Sequence, residues 1–180
     1  MKIFIALIPM FAVLCGCSHT LTLPYQPTTT AELKGNIEVD NFKYFPRPGV
    51  KQNQVRNTAA GTIYLTENVE DFYCNALKRE MRQATLSLKP GAKCKLSGEV
   101  NDFAMDDLGY SVTYISNVHY VLTDTSGKAL YDNIFDIRFE TSKFLVAQAV
   151  FANINKTISD NIGKLLTDQT FSDVVAASCQ

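Results

Sequence analysis

The sequence predicts an α+β fold: a two-layer sandwich in which a mainly antiparallel sheet of about four strands packs on two amphipathic helices, in the order β-α-β-β-β-α. Three observations predict it. A helical apolar stripe follows residue 66, three extended segments with alternating apolar residues lie between residues 94 and 139, and a second helical stripe follows residue 142. One apolar sheet face against two apolar helix faces buries all of them.

The first predicted strand is GNIEVDNF, residues 35–42, in which Ile37 and Val39 alternate with polar residues. A long connection, residues 43–61, follows and is interrupted by prolines and a glycine. Connections of this length without regular structure are uncommon and are usually functional or mobile. Because aromatic and arginine side chains dominate interface energetics, we expect partner binding by Tyr44, Phe45 and Arg47; a loop packed inertly on its own domain is the alternative.

The first helix is predicted over TENVEDFYCNALKREMRQA, residues 66–84, with Thr66 as its N-terminal cap. Acidic residues in its first turn and basic residues in its later turns suit the helix dipole. Glu80 falls on the same face as the apolar residues, which recur at helical spacing. The stripe consists of Val69, Phe72, Tyr73, Ala76 and Leu77.

Three strands are predicted next, over residues 94–100, 108–122 and 131–139, the last two joined by the turn TDTSGK. The long middle strand has one apolar and one polar face. Its tyrosines are expected to be core residues, with a ligand-binding platform as the alternative. The predicted apolar face comprises Tyr110, Val112, Tyr114, Val118, Tyr120 and Leu122.

The last predicted element is a long helix over residues 142–166, which ends near Gly163. Its apolar residues repeat at intervals of three and four and would lie against the sheet. They are Val146, Val150, Ile154, Ile158, Ile162 and Leu165.

The N-terminal segment has the features of an export signal. Lys2 precedes an apolar run over residues 3–14, which is too short to span a bilayer core of about 20 residues but fits a signal peptide. The run ends in LCGC, which resembles the lipobox of bacterial lipoproteins. The resemblance implies cleavage between Gly16 and Cys17 and a diacylglyceryl group on Cys17; a plain signal with incidental cysteines is the alternative. Ser18 after the cysteine favours the outer membrane, facing the periplasm.

These features divide the chain into a signal peptide (residues 1–16), a lipidated N-terminus with a flexible tether (17–33) and a single α+β domain (34–180). The tether is predicted from its threonines and prolines; a strand, which threonine-rich runs also form, is the alternative. A periplasmic location favours a disulfide among Cys74, Cys94 and Cys179. Cys94–Cys179 is the pairing we favour, and the cysteine spacings match no zinc pattern.

The composition gives no case for nucleic-acid binding, since 17 basic and 18 acidic residues leave a net charge of −1. No catalytic motif is recognisable. His119 is expected to be a polar residue of the sheet surface, Cys74 has no evident partner, and Asp102, Asp106 and Asp107 lack calcium-loop spacing. We therefore expect no enzymatic activity, no cofactor and no metal site.

The segments GTIYLTENVEDFYCNAL, KLSGEV and KLLTDQTF, with a tyrosine-rich strand between the last two, resemble the YajG-like group of small envelope lipoproteins. The element order is also similar to that of the LptE and PqiC kind of auxiliary lipoproteins. The resemblance implies a non-catalytic outer-membrane lipoprotein that acts as an adaptor or accessory subunit of an envelope assembly or transport system. A periplasmic carrier or chaperone for a lipid or glycolipid is the alternative.

Overall fold

The structure is a computed structural model that describes residues 19–58, 62–143 and 147–180. Within these residues, nine strands form one mixed sheet accompanied by three helices. The expectation of about four mainly antiparallel strands on two helices is therefore wrong. The elements are β1 (His19–Leu21), β2 (Asn36–Val39), β3 (Lys43–Tyr44), β4 (Gln54–Asn57), β5 (Ile63–Leu65), α1 (Val69–Gln83), β6 (Ser87–Leu88), β7 (Cys94–Asp106), β8 (Ser111–Asp124), β9 (Ala129–Ser142), α2 (Ala147–Leu166) and α3 (Gln169–Ser178).

Strand β7 is a central strand that pairs with other strands along both of its edges. One of its edges pairs antiparallel with β8, which in turn pairs antiparallel with β9. Its other edge is shared by β2, β3 and β4, which follow one another along β7 and all run parallel to it. Strand β6 adds to β2, β5 adds to β4, and β1 adds to β5. Strands of two to four residues are too short to show an apolar period, so most of them could not be predicted from local patterns.

Helices α1 and α2 cover one face of the sheet, and their predicted apolar residues are buried there wherever the structure describes them fully, except for half-buried Val150. A bulge between Val100 and Asp102 shifts the register of β7 against β8. The core-facing positions therefore change from Leu96 and Val100 before the bulge to Phe103 and Met105 after it. The bulge lets a strand of 13 residues keep apolar side chains on the core side throughout.

Buried polar side chains join both helices to the sheet. The hydroxyl groups of Tyr73 on α1 and Ser116 on β8 lie 2.6 Å apart. The Tyr120 hydroxyl donates to Asn161 Oδ1 at 2.9 Å, and the Asn161 amide donates to the Phe135 carbonyl at 2.9 Å. Burial raises the pKa of Tyr120 well above its ordinary value, so this hydroxyl remains a donor. Because each group has a partner, these buried polar atoms fix how the helices sit on the sheet.

Three details differ from the sequence predictions. Helix α1 begins at Val69 with Asn68 as its N-cap, whereas Thr66 was expected to cap it. A further helix that was not predicted, α3, follows α2; it begins after Asp168, whose side chain accepts from the Phe171 N–H at 3.0 Å. Tyr110 was expected to face the core, but it precedes β8 and is 87% exposed. No helix in the described parts of the chain is long and apolar enough to cross a membrane.

The segment expected to be a flexible tether packs on the domain over its described residues, 19–33. Polar groups of this segment converge on Glu80 of α1, which is 1% exposed. The Tyr25 hydroxyl donates to Glu80 Oε1 at 2.5 Å, and the backbone N–H groups of Thr28 and Thr29 donate to the same carboxylate at 2.9 and 2.8 Å. Leu23, Tyr25 and Leu33 are buried in the core. These contacts lie about 50 positions apart in sequence, so no local composition rule could reveal them.

Gly98 allows a close approach in the core, and its replacement tests the packing there. A Cβ at this position would lie 2.3 Å from the Phe42 ring. We expect Gly98→Ala to lower the free energy of unfolding by about 1–3 kcal/mol through overpacking. Gly163→Ala is the control, because nothing lies within 4 Å of its Cβ position, and we expect it to stabilise α2 by about 0.5–1 kcal/mol. Urea denaturation measures both; a neutral Gly98→Ala would contradict this packing.

Candidate interaction surface

The loop after β3 contains the residues expected to bind a partner, and the structure separates them. Tyr44 is 6% exposed and pairs with Val100 of β7, so it is a core residue and its assignment to a binding surface is wrong. Burial raises the pKa of Tyr44 to about 12. Phe45 is 53% exposed, and the Arg47 side chain is 64% exposed. The surface that remains is formed by Phe45 and Arg47.

The backbone of this loop is held by hydrogen bonds on both sides of Phe45. The Phe45 N–H donates to the Val100 carbonyl at 3.1 Å, which continues the pairing of β3 with β7. The Val50 N–H donates to the Arg47 carbonyl at 3.0 Å across Pro48 and Gly49, and Gly49 has a φ of +84°. Proline followed by a glycine with positive φ is the pattern of a type II turn. The exposed phenyl ring is therefore presented from a fixed backbone.

A charged cluster beside the loop positions Arg47. Asp102, which follows the β7 bulge, accepts from Arg56 Nε at 3.2 Å and Arg56 Nη2 at 2.8 Å. Arg47 Nη2 donates to the same carboxylate at 3.2 Å. One carboxylate thus serves two guanidinium groups, so the three side chains together carry a formal charge of +1. From the sequence, Asp102 was considered only as a calcium ligand and Arg56 was not recognised. No local signal relates these residues, because they meet through the parallel pairing of β4 with β7.

The remaining chemical candidates are engaged in contacts within the domain. His119 Nε2 lies 2.7 Å from Asp132 Oδ1 on the solvent side of the sheet. The Cys74 thiol is buried and lies 3.5 Å from the Asp40 carbonyl oxygen. The carboxylates of Asp106 and Asp107 accept hydrogen bonds from Thr58. Among the described residues, no group of three or more His, Cys, Asp or Glu side chains is arranged to hold a metal ion.

Apart from Cys74, the cysteines lie either outside the described residues or in a disulfide. Cys17, expected to carry lipid, and Gly16 before it lie outside the described residues. Cys94 and Cys179 are joined by a disulfide that spans 85 positions, which is the pairing favoured from the sequence. The bridge holds the C-cap of α3 against the first residue of β7. The Cys179 carbonyl also accepts from the Asn36 N–H at 2.5 Å.

The described surface has shallow depressions rather than an enclosed apolar chamber. One of them, about 560 Å³, lies between residues 24–28 and α2, and is open and lined by mixed polar and apolar side chains that include Gln26, Asn155, Lys156 and Asp160. Another, about 250 Å³, is lined by Glu38, Lys78 and Arg82 together with the apolar side chains of Val39, Leu88 and Pro90. Between the sheet and the helices, Tyr73, Phe103, Tyr120 and Ile154 fill the interior and are fully buried.

Solved structures share this fold. A Xanthomonas campestris protein described as DUF330 superimposes with a TM-score of 0.70 at 10% sequence identity, over 88% of this chain and 99% of that protein. An uncharacterized protein superimposes with a TM-score of 0.57 at 11% identity, over 83% of this chain and 95% of its own. A minor lipoprotein from Acinetobacter baumannii superimposes with a TM-score of only 0.46 at 8% identity, over 76% of this chain and 92% of its own. No protein-family model and no curated protein matches the sequence.

Proposed function

We propose that this chain is a non-catalytic lipoprotein of the outer membrane, facing the periplasm, which acts as an adaptor or accessory subunit of an envelope assembly or transport system. The YajG-like resemblance and the similarity in element order to LptE and PqiC proteins support this assignment. The fold shared with the DUF330 protein of Xanthomonas campestris agrees with a small compact domain of this kind.

Membrane attachment is supported by the sequence Leu14-Cys15-Gly16-Cys17 behind an apolar export signal. Two or three acyl chains at Cys17 would hold the domain at one leaflet, because each buried CH₂ contributes about 0.8 kcal/mol. Confinement to the membrane raises the effective concentration of the domain near other membrane-bound components, so even a weak contact can be populated.

The observation that carries the adaptor role is Phe45, a large apolar side chain 53% exposed on a fixed backbone beside the Arg47–Asp102–Arg56 cluster. Aromatic residues and arginines are the side chains that most often dominate binding energy at interfaces. A rigid presentation also lowers the entropy lost on binding. The filled interior favours this role over a lipid or glycolipid carrier, which needs a cavity for its cargo.

The adaptor proposal is tested by crosslinking in intact envelopes followed by mass spectrometry of the captured proteins. We expect Phe45→Ala to reduce capture of a specific partner roughly tenfold, which corresponds to the 1–2 kcal/mol commonly lost at an interface anchor. Ile134→Ala is the matched control, because Ile134 is also 53% exposed but lies on β9. Ile134→Ala should leave capture unchanged; if Phe45→Ala and Arg47→Ala also leave every crosslink intact, the loop is not a docking site.

The anchor is tested separately by palmitate labelling and membrane fractionation of Cys17→Ala. We expect labelling to be lost and the protein to appear as an unprocessed or soluble form, because no thiol remains at position 17. Cys74→Ala controls for the loss of a cysteine, since the Cys74 thiol is buried in the domain. Unchanged labelling of Cys17→Ala would reject the anchor assignment.

A further inference from the structure

The described chain begins directly in the sheet, and this restricts how the domain can sit on a membrane. His19 is the first residue of β1 and pairs with Ile63 of β5. Only two peptide steps separate it from Cys17, and an extended chain covers at most about 3.5 Å per residue. A lipidated Cys17 would therefore keep the start of β1 within about 7 Å of the attachment point, rather than allowing the domain to stand off on a spacer.

The strand directions identify the end of the sheet that this places at the membrane. β4 runs parallel to β7, with Asn57 opposite Met105. β5 runs antiparallel to β4, and β1 runs parallel to β5. Strand β1 therefore runs opposite to β7, and its first residue, His19, lies toward the end of the sheet where β7 finishes. That end carries the turn from β7 to β8.

This turn exposes apolar side chains. We call Leu108, Gly109 and Tyr110 the hairpin tip; Leu108 is 67% exposed and Tyr110 is 87% exposed. Gly109 between them has a φ of +89°. The turn at the opposite end of β8 has the sequence Thr-Ser-Gly-Lys over residues 125–128 and is polar and exposed. The two ends of the β7–β8–β9 hairpins thus differ in polarity. The apolar end is the end of the sheet at which β1 begins.

Polar groups beneath the hairpin tip hold it in place. Asp106 Oδ1 accepts from the Leu108 N–H at 3.3 Å and from the Thr58 hydroxyl at 2.8 Å. The Lys143 N–H donates to the Tyr110 carbonyl at 3.2 Å, and Lys143 Nζ donates to the Asp107 carbonyl at 2.5 Å. These bonds keep the backbone polar groups on the protein side, so the Leu108 and Tyr110 side chains project outward.

We propose that the hairpin tip rests in the headgroup region of the bilayer that holds the acyl chains of Cys17, an inference that rests on the proposed lipidation. Tyrosine suits this location, since its ring prefers the membrane interface while its hydroxyl stays hydrated. Leu108 adds apolar area that would otherwise face water. The tip and the lipid then form two contacts with one surface and fix the orientation of the domain.

The chain contains no tryptophan, so one introduced indole reports on its own surroundings. The experiment uses the mature lipidated protein in vesicles of phosphatidylethanolamine and phosphatidylglycerol, with and without brominated acyl chains. We expect the indole of Tyr110→Trp to shift its emission to shorter wavelength and to lose most of its intensity to the brominated lipid. Ile134→Trp is the matched control: that site lies eight positions along β9 before Ser142, roughly 27 Å away at the rise of a strand, and should not be quenched.

The outcomes separate this inference from the anchor. Protein that fails to bind vesicles at all rejects lipidation and, with it, this inference. Vesicle-bound protein with unquenched emission from position 110, or equal quenching at both positions, overturns the tip proposal and leaves the anchor standing. Emission from position 110 that changes only in native envelopes would indicate a protein partner and would also overturn it. Circular dichroism checks that both variants are folded.

Discussion

Glu80→Ala is expected to lower the free energy of unfolding by about 3–5 kcal/mol, because the removed carboxylate accepts three hydrogen bonds from the N-terminal segment. The buried Tyr25 hydroxyl and the Thr28 and Thr29 N–H groups would be left without their acceptor. The pKa of Tyr25 is raised far above its ordinary value, chiefly by burial and then by the Glu80 hydrogen bond. The hydroxyl therefore stays protonated, and in the variant it would be a buried donor without its acceptor. Urea denaturation measures the change.

Hydrogen exchange then shows where the effect of Glu80→Ala lies. We expect the Thr28 and Thr29 amides to exchange faster, because they lose the acceptor that protects them. Glu67→Ala is the control: it removes the same charge from an exposed carboxylate before α1, which accepts from Asn75 at 3.1 Å, and should change stability by less than about 0.5 kcal/mol. Equal effects of the two substitutions would show that the N-terminal segment is not docked through Glu80.

Removal of the Cys94–Cys179 disulfide is expected to destabilise the domain by a similar amount. In the chain-entropy account, a bridge across 85 positions restricts the unfolded chain by about 4–5 kcal/mol, and measured losses are usually about 2–5 kcal/mol. The double substitution Cys94→Ala, Cys179→Ala should also loosen α3, because its C-cap residue is one of the bridged cysteines.

Sensitivity to a reducing agent tests the bridge directly. The unfolding midpoint of the wild-type protein should fall when dithiothreitol is added, whereas that of the double variant should not respond. Cys74→Ala retains the bridge and should respond to the reductant as the wild type does, since Cys74 is a free thiol. If dithiothreitol left the unfolding midpoint of the wild-type protein unchanged, a stabilising disulfide would be contradicted.

Elements with a long apolar period were predictable from the sequence, and those held by distant backbone pairing were not. The stripes of α1 and α2 and the alternation along β8 identified residues such as Leu77, Val118 and Ile158, which are fully buried. In contrast, β3 is two residues long and exists because Lys43 and Tyr44 lie beside β7. The number of strands was therefore underestimated.

The candidate site shows the same division. Of the three residues expected to bind a partner, Phe45 and Arg47 are exposed. Tyr44 beside them is buried because alternate residues of β3 face opposite sides of the sheet. Tyr110 was expected to be buried and is exposed. It fits the period of β8, but that strand begins only at Ser111, directly after it. In both cases the error lies at the end of an element, where the apolar period gives no information about where pairing stops.

The carboxyl end of the chain has a practical use that follows from the Cys94–Cys179 bridge. Cys94 opens β7, while β1 begins toward the other end of β7, which is 13 residues long, or roughly 40 Å at the rise of a strand. In the proposed orientation, with the start of β1 at the membrane, a fluorescent protein fused after Gln180 would thus lie on the side of the domain away from the lipid. Its height above a labelled membrane, read by energy transfer, would report whether the molecule stands upright or lies on its side.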